Sequence, residues 1–374
     1  MKLFKNALLL MCFVSVFFLI ACSLDDNDQE DSVSDGDSDA EAGTVDGDMD
    51  LEQSLEDGDD ELEVEPQRPE YPYDDQLRIN HIQMKGTHNS YHIATDDYAV
   101  APLEYTMQPL QVQLEEQGVR QFEIDIQYSE EDGFYVVHDI IYDNGTNCYY
   151  FDECMQQMKD WSVDHPGHHV LMVLLEPKDD YYDEKFTDKQ TDIEQAILSV
   201  WGREHVLTPD DVRGDYATLN EAISLDGWPT LGEARDKVMF VLFDSSDHKD
   251  VYLDGHPNLE DRLMFTREGN LESPNAAFVK LDDPIDQAER ILEASQAGFM
   301  IRTRTDTNVN EPRNNDYTRQ EAALLSGAHY LSTDFPAPVE EFDYWFDMSD
   351  GNPSRCNPVT APDFCTSEAI ENLP

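Results

Sequence analysis

The chain is poor in positive charge. Its 374 residues include 24 Lys and Arg against 81 Asp and Glu, which gives a formal net charge of −57. Nucleic acids and anionic bilayers are themselves negatively charged, so general electrostatic attraction to either is excluded, and we expect no nucleic-acid partner. A phosphate-bearing substrate would have to be met by local cations.

The chain also lacks an internal repeat, a glycine-rich nucleotide loop and an apolar run long enough to cross a bilayer. The run Ala7 to Ala21 spans about 15 residues, whereas a transmembrane helix needs ~20. It follows Lys2 and Lys5, so residues 1–21 are predicted to be a secretory signal peptide. The run ends at Leu19-Ile20-Ala21-Cys22, which resembles a bacterial lipobox and predicts that Cys22 is lipidated. The alternatives are an uncleaved anchor and an ordinary cleaved signal.

The segment 22–70 has almost no large apolar side chains. It contains 21 Asp or Glu and one Arg, so it cannot bury enough surface to offset the entropy of ordering and is expected to be a disordered acidic linker. Residues 71–374 suit one large domain, with a C-terminal extension from about residue 336, and keep a net charge near −39.

The N-terminal features together predict an exported bacterial lipoprotein, anchored to a membrane by its N-terminal lipid. Ser23, rather than Asp, follows the lipidated cysteine and favours the outer membrane or cell surface in a Gram-negative cell. We expect the protein to act as a monomer.

Cysteines are few. Apart from Cys12 in the signal and Cys22, the chain has Cys148, Cys154, Cys356 and Cys365. An even number in an exported chain fits two short-range disulfides, Cys148–Cys154 and Cys356–Cys365, although the other two pairings and a zinc site remain open.

Eight short apolar runs alternate with several helical stretches and predict a (β/α)8 TIM barrel. The predicted strands are 79–85, 119–126, 134–137, 170–175, 238–243, 276–281, 299–302 and 328–331. The predicted helices are 109–117, 155–165, 188–201, 230–236, 285–297 and 319–326. Gly118, Gly298 and Gly327 follow three of these helices as C-terminal stops.

Polar side chains cluster at the ends of the predicted strands, where a barrel places its active site. His88 and Asn89 follow the first strand, Glu123 and Asp125 share a face of the second, and His138 and Glu176 follow the third and fourth. The oxygen donors Asn89, Glu123, Asp125 and Glu176 are the ligand types that Ca²⁺ prefers. His88 and His138 are suited to acid–base chemistry. Local positive charge for a phosphate is expected from Lys85, Lys178, Arg302 and Arg304.

Six short motifs in order resemble the calcium-dependent, phosphatidylinositol-specific phospholipases C that bacteria secrete. They are Gly86-Thr87-His88-Asn89-Ser90-Tyr91, Phe122-Glu123-Ile124-Asp125, Val137-His138-Asp139, Leu175-Glu176-Pro177-Lys178, Ile301-Arg302-Thr303-Arg304-Thr305-Asp306 and Leu331-Ser332-Thr333-Asp334-Phe335. The tail Arg355-Cys356-Asn357-Pro358-Val359, with Cys365, also looks like this group.

The resemblance implies a barrel enzyme that cleaves phosphatidylinositol-type lipids. The inositol 2-hydroxyl would attack the phosphorus to give a cyclic inositol phosphate. His138 would protonate the departing diacylglycerol oxygen, His88 would stabilise the phosphoryl charge, and Glu123 is the candidate base. Asn89, Glu123, Asp125 and Glu176 would bind calcium. Asp125 favours metal dependence, because calcium-independent relatives have Arg in place of the metal.

Two other functions are compatible with the sequence. Glycerophosphodiester phosphodiesterases are also barrels with a Glu-x-Asp pair and two histidines, but they typically have His-Arg-Gly where this chain has His88-Asn89-Ser90. The other alternative is an inert surface lipoprotein that binds inositol lipids or sugars.

Overall fold

The structure is a computed structural model that describes residues 68–95, 101–179, 186, 188–244, 247–349, 351 and 353–371. The chain divides into two units, Met1–Leu62 and Glu63–Pro374, and all the described residues belong to the second. The predicted signal peptide, Cys22 and all of the predicted linker except residues 68–70 lie outside the described residues.

Eight parallel strands form a barrel in the order β6-β5-β4-β2-β1-β9-β8-β7. A parallel bridge between Arg267 and Phe278 joins the two end strands, so the ring closes. The described strands are β1 (Ile82–Thr87), β2 (Val119–Ser129), β3 (Gly133–Tyr135), β4 (Leu171–Pro177), β5 (Val238–Leu242), β6 (Phe265–Thr266), β7 (Phe278–Lys280), β8 (Met300–Arg304), β9 (Tyr330–Thr333) and β10 (Ser354–Cys356). The predicted barrel is confirmed.

Helices connect most of the barrel strands. The described α-helices are α1 (Leu110–Glu115), α2 (Phe151–Asp164), α3 (Gln190–Trp201), α4 (Pro209–Arg213), α5 (Leu219–Leu225), α6 (Leu231–Ala234), α7 (Asp247–Leu253), α8 (Ala288–Gln296), α9 (Asn310–Asn314) and α10 (Thr318–Leu325). Short 3-10 helices occur at Ile79–His81, Ala101–Leu103, Arg203–His205 and Ser367–Ala369. Within the described residues, no helix has the length and apolar character needed to span a membrane.

Side-chain patterning explains these elements. Every residue of β5 is buried, as expected for a parallel strand covered on both faces. Helix α3 buries Ile193, Ile197 and Trp201, which recur every four residues and form one apolar stripe. Gly298 and Gly327 follow α8 and α10 with φ of 90° and 82°, a backbone conformation that favours glycine and ends a helix.

One predicted barrel strand was wrong and another was missed. The run 134–137 overlaps β3, which pairs antiparallel with the far end of β2 and takes no part in the barrel ring. The missing wall strand is β6, only two residues long, which pairs with β5. A two-residue strand carries too little periodicity to be recognised, and the β2–β3 hairpin has the same apolar composition as a wall strand.

The last part of the C-terminal extension, residues 353–371, packs against the N-terminal end of the barrel. Strand β10 pairs antiparallel with β1, and Glu371 forms a buried ion pair with Arg120 of β2 at 2.5 Å. Both predicted disulfides are confirmed, with Cα–Cα distances of 5.3 Å for Cys148–Cys154 and 6.0 Å for Cys356–Cys365. The second disulfide closes a loop within this extension.

Candidate active site

The carboxyl ends of the barrel strands form what we call the barrel mouth, and β1, β2 and β4 supply its acidic side. Asp125 pairs in register with Glu176 on the adjacent strand. The loop after β1 is fixed to β2 because the backbone N–H of Ser90 donates to the carbonyl of Glu123 at 2.9 Å, and Ser90 Oγ accepts from Glu123 N–H at 2.9 Å. Asn89, in this loop, is buried and has a φ of 44°. Strand register and this loop bring the four predicted oxygen donors to one end of the barrel.

Lys178 lies between two of the carboxylates. Its Nζ is 2.7 Å from Oε1 of Glu176 and 3.2 Å from Oδ2 of Asp125. Burial disfavours the ammonium, but the two carboxylates outweigh this and raise the pKa of Lys178 above its ordinary value. Burial also raises the pKa of Glu176, yet the charge of Lys178 outweighs it and leaves that pKa lowered. The positive charge of Lys178 therefore offsets negative charge of Glu176 and Asp125 on the acidic side of the mouth.

Asp125 is the least satisfied of these carboxylates. Both of its oxygens are buried and lack a hydrogen bond of good geometry; Nζ of Lys178 lies 3.2 Å from Oδ2, and the hydroxyl of Tyr91 is a further polar neighbour. Burial raises the pKa of Asp125, and Lys178 counteracts this only in part. Buried carboxylate oxygens without well-placed donors fit coordination of a hard cation, which would supply further positive charge.

Two arginines from β8 reach other acids of the mouth. Arg302 Nη2 lies 2.6 Å from Oε2 of Glu123, across the barrel, and Arg302 also contacts Asp282 just beyond β7. Arg304 Nη2 lies 2.5 Å from Oδ2 of Asp334. Among the described residues, no group of three or more His, Cys, Asp or Glu side chains is placed to hold a metal ion.

His88 is held by an aspartate that follows β9. Its Nδ1 lies 2.8 Å from Oδ1 of Asp334, and its Nε2 lies 4.0 Å from Oε1 of Glu123. A carboxylate can only accept a hydrogen bond, so Nδ1 carries the proton and Nε2 of the neutral ring presents a lone pair. Burial, followed by the charge of Arg304, lowers the pKa of His88 well below its ordinary value. The neutral form of His88 is therefore favoured.

The pKa of His138 is shifted in the opposite direction from that of His88. Its Nδ1 lies 2.9 Å from Oδ2 of Asp143; the angle departs from hydrogen-bond geometry, but the charge attraction at that distance remains. Burial lowers the pKa of His138, while Asp143 and then Asp125 raise it, and the net pKa is above the ordinary value. The second oxygen of Asp143 lies 2.8 Å from Nε2 of the buried His92. His138 is thus the histidine that holds a proton more readily.

The structure brings most of the predicted site residues together, but Lys85 contacts a different region. Its ammonium donates to the carbonyl of Pro336 at 3.1 Å in the C-terminal extension, and burial lowers its pKa to about 8. His138 lies at the mouth as predicted, but in the loop after the β2–β3 hairpin instead of at the end of a barrel strand.

Sequence reasoning missed the residues that support the histidines. Asp334 lies within a motif that the sequence offered, but it was not assigned a role there. Four residues separate Asp143 from His138, and the sequence between them does not indicate that the Asp143 carboxylate contacts the imidazole. His92, to which the sequence assigned no role, is buried against Asp143. Lys280, 4.6 Å above the Phe243 ring, adds a cation that was also missed.

The chain is similar to known proteins in sequence and in fold. Residues 77–141 and 129–358, most of the chain, match the family model for Ca²⁺-dependent phosphoinositide phospholipase C. No curated protein sequence matches the chain significantly.

Several solved structures are similar in fold. The Ca²⁺-dependent phosphatidylinositol-specific phospholipase C from Streptomyces antibioticus has a TM-score of 0.51 and 16% identity, over 70% of this chain and 95% of that one. The calcium-dependent phosphoinositol-specific phospholipase C from a Gram-negative Pseudomonas sp. has a TM-score of 0.53 and 17% identity, over 76% of this chain and 97% of that one. A myoinositol complex of the Pseudomonas protein gives 0.53 and 17%, over 76% and 96%.

At sequence identities of 16% and 17%, the solved structures show only a common barrel fold. The match to the family model is what shows family membership. The chain therefore belongs to the family of Ca²⁺-dependent phosphoinositide phospholipases C.

Proposed function

We propose that the protein cleaves phosphatidylinositol-type lipids by attack of the inositol 2-hydroxyl on the phosphorus. The new P–O bond closes a cyclic inositol phosphate, the P–O bond to diacylglycerol breaks, and diacylglycerol leaves as an alcohol. The observation that carries this proposal is the pair of histidines at one barrel mouth, each with an aspartate beside Nδ1 and with opposite pKa shifts.

His138 is the proposed general acid. Asp143 beside Nδ1 favours the protonated ring, which leaves Nε2–H to protonate the diacylglycerol oxygen as its bond to phosphorus breaks. Asp143 is a positioning residue in this scheme, because it acts through the imidazole. His92 in turn holds the other oxygen of Asp143.

His88 is the proposed acceptor for the proton of the 2-hydroxyl. The sequence assigned it a charge-stabilising role and offered Glu123 as the base. A neutral ring with its proton on Nδ1 cannot donate from Nε2, so it suits proton acceptance better. Oε2 of Glu123 is engaged by Arg302 at 2.6 Å, which leaves this carboxylate less free to accept a proton from the substrate.

Calcium is the family's cofactor, and Asn89, Glu123, Asp125 and Glu176 are its proposed ligands. A bound Ca²⁺ would polarise the phosphate and help to neutralise its charge. These donors are all oxygens, as calcium requires, and the buried Asp125 oxygens, which lack a hydrogen bond of good geometry, support the assignment. Lys178, Arg302 and Arg304 are proposed to bind the phosphate or inositol, which would require Lys178 and Arg302 to exchange part of their present carboxylate contacts.

Product analysis tests the reaction. Purified protein with calcium and phosphatidylinositol should release diacylglycerol and a cyclic inositol phosphate, detected by ³¹P NMR, and excess chelator should stop the release. The proposal is wrong if the protein cleaves only deacylated glycerophosphoinositol, as a glycerophosphodiester phosphodiesterase would, or retains full activity in chelator.

We also propose that the exported protein is attached to a membrane through a lipid on Cys22. The support is the apolar run that ends in Leu19-Ile20-Ala21-Cys22. Cells expressing the full chain should incorporate labelled fatty acid into it, and Cys22→Ser should abolish the label. Equal labelling of both chains would contradict the proposal.

A further inference from the structure

One side of the barrel mouth gathers cations, although the chain as a whole has only 24 Lys and Arg. Arg267 directly follows β6, Lys280 ends β7, and Arg302 and Arg304 lie on β8. Lys280 pairs in register with Arg302, so the two side chains leave adjacent strands on the same face of the sheet. These three neighbouring strands lie opposite the acidic side of the mouth, which β1, β2 and β4 supply.

Phe243 directly follows β5, and its side chain points into the barrel. Val241 pairs in register with Leu174, which pairs in register with Glu123 on the next strand. Val241 therefore shares the inward face of Glu123, and Phe243, two residues farther along the chain, shares it too. This places an aromatic ring at the mouth, at the level where the cations begin.

The ring of Phe243 has three positive charges around it. Nζ of Lys280 lies 4.6 Å from the ring centroid, and the guanidinium carbons of Arg302 and Arg267 each lie 5.6 Å from it. At such distances the negatively polarised face of an aromatic ring attracts a cation. The ring is buried, so water screens this attraction less than it would at the surface.

The other neighbours of these cations are carboxylates. Arg302 Nη2 lies 2.6 Å from Oε2 of Glu123, and Arg302 also contacts Asp282. Lys280 Nζ lies 3.5 Å from Oδ2 of Asp282. A carboxylate that holds a cation also neutralises it, whereas an aromatic ring attracts a cation without carrying a net charge. A cation held by a ring therefore keeps its charge for a substrate phosphate.

We propose that Phe243 is a positioning residue that holds Lys280 and Arg302 at the mouth while leaving their positive charge available to the substrate phosphate. The inference rests on the proposed function, in which Glu123 binds calcium and Arg302 gives up part of its contact with Glu123. The ring then keeps the Arg302 guanidinium beside the phosphate after that carboxylate has turned to the metal.

A buried phenylalanine can also act through packing alone. Phe243 belongs to the apolar core, and its ring lies 6.1 Å from that of Phe278 in a T-shaped arrangement. Packing depends on the shape of the ring, whereas attraction of a cation depends on the electron density of its face. Fluorine withdraws electron density and adds little volume, so fluorinated phenylalanines separate the two roles.

Binding of myo-inositol 1-phosphate in the presence of calcium tests the proposal without requiring turnover. Mono-, di- and trifluorophenylalanine are introduced at position 243 of the full chain, and affinity is measured by calorimetry. The affinity should fall stepwise with each fluorine, by about tenfold in total. The affinity for neutral myo-inositol and the Tm should stay unchanged. Phe278, which packs against the rings of Phe243 and Tyr330, is the matched control, and the same analogues there should change neither affinity.

Two ordinary substitutions extend the test to the reaction. Phe243→Tyr keeps an aromatic ring and should retain most of the affinity for inositol phosphate, whereas Phe243→Leu keeps only apolar volume and should lose about tenfold. On dispersed short-chain phosphatidylinositol, the loss in Phe243→Leu should appear mainly as a higher KM, because the phosphate is already negatively charged in the bound substrate.

An affinity for inositol phosphate that is constant along the fluorine series would overturn the inference. Parallel losses of inositol phosphate and myo-inositol binding would also overturn it, since they would assign Phe243 to packing alone. Absence of inositol phosphate binding to the unchanged chain would refute it as well. Binding of inositol phosphate without cleavage of phosphatidylinositol would instead remove the proposed function, and the fluorine series would still decide the role of Phe243.

Discussion

Asp143 Oδ2 lies 2.9 Å from Nδ1 of His138, and this carboxylate sets the protonation of the imidazole. Burial lowers the pKa of His138, but Asp143 and Asp125 outweigh the effect and raise it. The pKa of Asp143 is shifted the other way: burial raises it, but the close contacts with His138 and His92 outweigh burial and lower it below its ordinary value. Both shifts favour the pair of a protonated His138 imidazole and an ionised Asp143 carboxylate.

Asp143→Asn should move the alkaline limit of activity to lower pH. A general acid must be protonated, so activity falls as pH rises through the pKa of His138. Loss of the carboxylate lowers that pKa, and the alkaline limb of the kcat/KM profile should shift down by about one pH unit. Asp139→Asn, in the same turn, is the control for a local structural effect. An unshifted limb in Asp143→Asn would remove the positioning role.

His138→Ala should reduce kcat by ~10²-fold or more with diacylglycerol as leaving group, because the departing alkoxide is then unprotonated. With a nitrophenol leaving group, which departs without protonation, the loss should be much smaller. Steady-state kinetics on the two substrates measure the difference, and His205→Ala, at a histidine remote from the mouth, serves as control. Equal losses on both substrates would point to a structural defect instead of a missing acid.

Calcium should stabilise the folded protein through Asp125. A ligand that binds only the folded state adds about 2.7 kcal/mol at a concentration 100 times its Kd, which raises Tm by a few degrees. Asp125→Asn should abolish most of this calcium-dependent rise in a thermal scan. Glu131→Gln, an exposed carboxylate between β2 and β3, should retain it. A full rise in Asp125→Asn would exclude Asp125 as a ligand.

Glu371→Gln should destabilise the barrel by about 3 kcal/mol or more at neutral pH, since it leaves the Arg120 guanidinium buried without its partner. Burial raises the pKa of Glu371, but Arg120 and His169 outweigh it and lower the pKa to about 2. The stabilisation is therefore complete above the ordinary pKa of 4.5 and is lost as pH falls toward 2.

Urea denaturation across that range measures the effect of pH. The free energy of unfolding should fall less steeply with acid in Glu371→Gln than in the unchanged chain. Glu368→Gln, at an exposed neighbouring carboxylate, should follow the unchanged chain. Parallel pH curves for Glu371→Gln and the unchanged chain would contradict the assignment.

Much of the fold could be predicted from local pattern. Strands such as β4 and β5 are continuous apolar runs, and helices such as α3 repeat apolar residues at helical spacing. Each can therefore be recognised from a short stretch of sequence. The glycines after α8 and α10 mark their ends. β6 could not be predicted because two residues carry no period, and β3 was misplaced because an apolar run does not reveal which strand it will pair with.

The sequence by itself determined the chemistry available at the mouth: oxygen donors on adjacent strands, two histidines, and a scarcity of cations in an acidic domain. Alternation along β2 was enough to place Glu123 and Asp125 on one face. Only the tertiary structure decided how these groups are paired. Asp334 contacts His88, which is 246 positions away in the sequence, and Arg302 contacts Glu123, which is 179 positions away. Such contacts depend on strand order and barrel closure, which bring distant segments within hydrogen-bond reach, and no local pattern encodes them.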